Sequence, residues 1–110
     1  MSGQDLYMNL QSKVALLDES LKQIKQRGRN YAKAEQDYRV ALSKKILTER
    51  DNGVPVTVIN DICRGSAEVA QLKFERDVAE SVYKAALEAI NVYKLQIRLL
   101  EGQIDREYRG

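Results

Sequence analysis

At 110 residues the chain is one small domain with room for a single modest core. It contains no His and no Trp, one Cys and one Phe, which removes the usual neutral-pH general base and any internal disulfide. Its net charge of +2 is too small to imply a polyanionic partner, and no apolar run approaches the roughly 20 residues that span a bilayer.

The first element is a helix expected over residues 5–51. Its apolar residues fall on two heptad columns, Leu10, Leu17, Ile24, Tyr31 and Tyr38, and Val14, Leu21, Gly28, Glu35 and Leu42. Alternating steps of three and four keep both columns on one side, as in a coiled-coil seam. Gly28 and Glu35 interrupt that seam, and Gly costs about 1 kcal/mol against Ala inside a helix. Within this helix lies a basic run, Lys22, Lys25, Arg27, Arg29 and Lys33, with no acid between Ser20 and Ala34. Phosphate contacts together with base stacking on Tyr31 would make it a nucleic-acid site. Because Tyr31 belongs to the seam and the charges are expected to scatter round the helix, plain surface solvation is the favoured reading. Glu75, Asp77, Glu80 and Glu88, on the opposite helix or on a dimer mate, offer partners for some of these bases.

Residues 52–66 form the connector. Asn52 and Gly53 supply a left-handed stop and Pro55 cannot continue the helix. A β-strand over the Val-rich stretch that follows would have no second strand to pair with. A short helix over 58–63 is expected instead, with Thr57 as its N-cap and Gly65 as its end. Val56, Val58, Ile59 and Ile62 should then plug the end of a hairpin, with Cys63 as a small apolar filler. Asp61 and Arg64 are the candidate binding residues here, for a small nucleotide-like ligand. The plainer expectation is that they satisfy each other and nearby helix ends.

The last helix is expected over 67–107, capped by Ser66 with Glu68 in its first turn. Its seam reads Leu72, Ala79, Ala86, Tyr93, Leu100 beside Arg76, Tyr83, Ile90, Ile97, Ile104. A second apolar stripe, Phe74, Val78, Val82, Ala85, Ala89, Val92 and Leu99, widens the apolar face to about 200°, where one neighbour needs about 100°. The excess marks an oligomer interface.

The whole therefore reads as one all-α domain over 1–110. It is a long antiparallel two-helix hairpin of rods about 60–65 Å long, with a short helical turn segment, dimerising into a four-helix bundle or coiled coil. No catalytic or metal constellation is present: Glu35 alone stands among the inward positions, and the lone Cys has no His partner. No cofactor is implied. The N-terminus lacks the pattern of a signal peptide, so a cytoplasmic protein without a membrane span is expected.

Four stretches carry a family likeness: residues 40–47 (Val-Ala-Leu-Ser-Lys-Lys-Ile-Leu), 53–59 (Gly-Val-Pro-Val-Thr-Val-Ile), 76–86 and 95–108. Together they resemble small helical proteins encoded by phages and prophages of Gram-positive bacteria. The resemblance runs from Tyr38 to the C-terminus, about two-thirds of the chain, and implies a mobile-element origin and a role inside the infected host cell. A protein partner in the host's replication or defence machinery would fit that origin. Secreted hairpin proteins of similar size carry Trp-x-Gly at the turn, and the absence of Trp excludes that assignment.

Overall fold

A computed structural model describes residues 2–109. The chain is all-α, with three helices and no strand among the described residues: α1 Gly3–Asp51, α2 Val56–Arg64 and α3 Ala67–Arg109. Two compact units share the long helices. The first joins α1 up to Gln26 with α3 from Lys84 onward, and the second runs continuously from Arg27 to Tyr83.

Helix α1 starts two residues earlier than expected because Ser2 caps it. The Ser2 hydroxyl accepts the Asp5 N–H at 3.1 Å and its carbonyl accepts the Leu6 N–H at 3.1 Å. At the other end Gly53 takes φ +84°. Its N–H donates to the Arg50 carbonyl, and the Val54 N–H donates to that of Glu49, each at 3.0 Å. This paired pattern is the Schellman stop that the Asn52-Gly53 signal implied.

The connector differs from expectation at its start. Helix α2 begins at Val56, directly after Pro55, so Thr57 lies inside the helix and is not its cap. Proline has no N–H to leave unsatisfied, so it sits at a helix entrance without cost. Ser66 then serves two helices at once. Its hydroxyl and its N–H both donate to the Cys63 carbonyl, closing α2, while its own carbonyl accepts the Ala70 N–H at the entrance of α3.

The plug is also composed differently. Ile59 and Cys63 are buried with Val69 of α3, whereas Val56, Val58 and Ile62 are exposed. An α-helix has one inward side, and the four-residue step from Ile59 to Cys63 occupies it. Cys63 is the filler expected, completely buried.

Along α3 the expected seam faces inward throughout, with Ile90 and Leu100 buried in the first unit. Along α1 the column from Leu10 to Tyr38 does the same. The other column is corrected in the first unit. Val14 and Leu21 are 47% and 48% exposed, and Leu6, Lys13 and Ser20 take the inward positions. In the second unit Gly28, Glu35 and Leu42 face inward as expected. Steps of seven residues drift by about 20° per heptad on a straight helix of 3.6 residues per turn. The inward column therefore moves from 6, 13 and 20 to 28, 35 and 42.

Truncation at the buried plug should be costly and truncation beside it cheap. Ile59→Ala is expected to lose about 2–4 kcal/mol of unfolding free energy, and Val56→Ala less than about 0.5 kcal/mol. Urea denaturation of the two variants checks this, and equal losses would contradict the burial pattern.

Candidate functional site

The two interruptions of the α1 seam are where the second unit is most specific. An ideal Cβ at Gly28 would lie 3.2 Å from Cε1 of Tyr83. The missing side chain lets the Tyr83 ring lie against the α1 backbone, where it meets the Tyr31 ring at a centroid distance of 6.1 Å and a tilt of 37°. Seven residues further along α1, the Glu35 carboxylate accepts a hydrogen bond from Arg76 Nη1 at 2.6 Å. Arg76 also donates from Nε to Asp77 at 2.8 Å and stacks its guanidinium 5.0 Å from the Tyr38 ring centre.

Glu35 has a second donor, Arg39, on the next turn of its own helix. Hydrogen bonds from Arg39 first and Arg76 second hold its carboxyl below the ordinary value of 4.5. Asp77 is held low chiefly by Lys73, which reaches it at 3.2 Å, and then by Arg76. Arg76 is pushed further up by Glu35 and then Asp77, and stays charged. The network is a structural clamp with every charge opposed: Glu35 and Arg76 are half-buried at its centre, and Arg39, Lys73 and Asp77 are exposed round them. Among the described residues no three His, Cys, Asp or Glu side chains gather closely enough to hold a metal ion.

The basic run is exposed. Lys22 pairs with Asp18 at 3.2 Å and Lys33 with Asp37 at 2.7 Å, both one turn away on α1. Neither pair uses an acid of α3. Within each unit the bases do not scatter: Lys22 and Lys25 share one side of α1 in the first unit, and Arg29 and Lys33 share one side in the second, where Arg27 stands apart. Asp61 and Arg64 are both exposed, and no ion pair joins them among the described residues. The Asp61 backbone carbonyl accepts the Gly65 N–H at 3.0 Å.

The second stripe of α3 faces solvent in this chain. Phe74 is 62% exposed, with Val78 and Val82 also exposed in the second unit. In the first unit Leu99 is 60% exposed, Val92 and Ala85 are exposed and Ala89 is half-buried. No helix is long and apolar enough to cross a membrane among the described residues. No protein-family model, no curated protein and no solved structure matches the chain.

Two outcomes follow for the clamp. Gly28→Ala should gain less than the roughly 1 kcal/mol of helix propensity, because Tyr83 must move aside. In a Tyr83→Ala background the full gain should return, and a urea double-mutant cycle measures the difference. For Glu35, a carboxyl depressed in the folded state adds stability that is present above its unfolded value and lost as pH falls through the folded one. Urea midpoints of the wild type should therefore drop below about pH 4.5 more steeply than those of Glu35→Gln. Parallel pH profiles would contradict the clamp.

Proposed function

We propose that this chain is a non-enzymatic, self-associating helical protein of phage type that acts inside a host cell by binding another protein. The observation that carries the partner-binding part of this reading is the exposed apolar side of α3, above all Phe74, Val78 and Val82. Side chains of this kind at four-residue steps form a continuous ridge, the form in which one helix offers itself to another. The surface area supports the same reading. The chain leaves 7989 Å² accessible to solvent, where folded monomeric chains of this mass leave about 6200 Å². The difference, about 1800 Å², is roughly twice what a standard protein interface removes from each partner, about 800 Å².

The non-enzymatic part rests on chemistry the chain lacks in sequence and on what its charged groups do. No histidine is present. The one cysteine is buried, and the best-ordered charged cluster is a self-satisfied clamp. The phage origin rests on the sequence resemblance of residues 40–47, 53–59, 76–86 and 95–108, and a host replication or defence component is the partner class that origin favours. A second reading, nucleic-acid binding, draws on the exposed bases Lys22 and Lys25 of the first unit and Arg29 and Lys33 of the second. It ranks lower because Lys22 and Lys33 already have carboxylate partners on α1.

Light scattering at roughly 50 µM, within the range where such interfaces assemble, is expected to give a multiple of 12.5 kDa. A strictly single-chain mass would overturn self-association. A host-cell pull-down is expected to retain a protein that the Phe74→Glu, Val78→Glu variant loses. Salt-sensitive retention of DNA or RNA instead, abolished by Lys25→Glu with Arg29→Glu, would replace the first reading by the second.

A further inference from the structure

Along one side of the first unit, α1 and α3 enclose two open grooves. One, of about 390 Å³, is lined by Leu17, Lys94, Ile97 and Arg98. The other, of about 530 Å³, is lined by Tyr7, Leu10, Glu101, Ile104, Asp105 and Tyr108. Both have apolar floors, and the α3 rim changes sign between them, basic in the first and acidic in the second.

The rim is a single row. Lys94, Arg98, Glu101 and Asp105 follow steps of four, three and four, so they stand one above another on α3. Their order is two positive, then two negative. Within one helix, like charges four residues apart repel, so both Lys94 with Arg98 and Glu101 with Asp105 are unfavourable placements for an isolated chain. The Asp105 carboxylate does meet Arg109 at 3.3 Å. Both side chains of that pair are well exposed, and such pairs contribute little.

Reversing the row end to end turns it into its own complement. An antiparallel copy sets Arg98 against Glu101 and Lys94 against Asp105, each pair occurring twice about an axis between Leu99 and Leu100. Helix α1 shows the same symmetry in apolar form. Tyr7 lines the second groove, and Val14 and Leu21 follow it at seven-residue steps on the same side, all three exposed. Their centre is Val14. The two centres lie at one level, because the grooves bring Leu17 beside Ile97 and Leu10 beside Ile104. That register puts Val14 level with Leu100. One two-fold axis therefore serves both helices, as an isologous contact requires.

We propose that two copies of this chain pair through this grooved side of the first unit, α3 antiparallel on α3 and α1 antiparallel on α1. The contact rests on the self-association reading above and gives it a location. It buries Val14 and Leu21, which the single chain leaves half in water. Phe74, Val78 and Val82 belong to the second unit and are not part of this contact.

Charge exchange tests it. Arg98→Glu and Glu101→Arg are each expected to weaken the wild-type dimer about tenfold or more, because each sets like charges together at both symmetry-related positions. Mixing the two single variants is expected to restore dimers, since every facing pair is then opposite in sign. The double variant should also dimerise as the wild type does. Sedimentation velocity reads the masses, and circular dichroism confirms equal helicity. A monomeric wild type would overturn this contact together with self-association. A dimeric wild type with unaffected single variants, or with single variants that mixing fails to rescue, would overturn this contact alone.

Discussion

Everything in the second unit depends on one matched pair of irregularities. Gly28 and Glu35 are seven residues apart on α1, and Tyr83 and Arg76 are seven apart on α3, running the other way. A small residue meets a large ring, and a carboxylate meets a guanidinium. The remaining seam positions of this unit, Tyr31, Tyr38, Leu42, Leu72 and Ala79, carry apolar bodies that pack against one another almost interchangeably. Two such helices are free to slide by a heptad at little cost unless some position objects. Slipping by seven in one direction would face Glu35 with Val69 and leave Arg76 opposite Gly28. In the other direction, Glu35 would face Tyr83 and Arg76 would face Leu42. Either slip separates the opposite charges and closes the gap that Tyr83 fills. The charged pair specifies the register more than it adds to stability, the best-attested use of polar groups in helical seams.

Much of this architecture was legible in the residues. The α3 seam, the Gly53 stop and the burial of Cys63 follow from periodicity and turn chemistry alone. The Val14–Leu21 column was misread because a strict heptad describes a supercoiled rod. The burial pattern of α1 instead follows the 3.6-residue turn, which moves the inward position by one residue over three heptads. The plug was misread because a run of β-branched residues gives hydrophobicity but not direction. Pro55 sets where α2 begins, and that decides that Ile59 and Cys63, not Val56 and Ile62, point inward.

The clamp was half legible. Gly28 and Glu35 stand out as faults when α1 is read by itself, and Arg76 stands out in the α3 seam. Their complementarity emerges only when the two columns are laid against each other in reverse, a step that needs the length of the connector. The basic run was visible as composition, but the side that its members share within each unit requires following the steps of three and four. Asp61 and Arg64 looked like partners because they are close in sequence, yet α2 presents both to solvent without joining them.

The small buried cluster of Ile59, Cys63 and Val69 has a consequence for the order of assembly. Its members lie within ten residues of each other along the chain, whereas Glu35 and Arg76 are 41 residues apart. Leu10 and Ile104 are separated by 94 positions. Joining chain ends costs more entropy as the loop between them grows, by about 2 kcal/mol between the shortest and the longest of these closures. The cheapest route to the native state therefore nucleates at the connector and zips toward the termini, each closed turn shortening the loop that the next must close. In such a zipper the Glu35–Arg76 pair closes before the seam positions nearer the termini, so a chain closing in the wrong register meets its mismatched charges early.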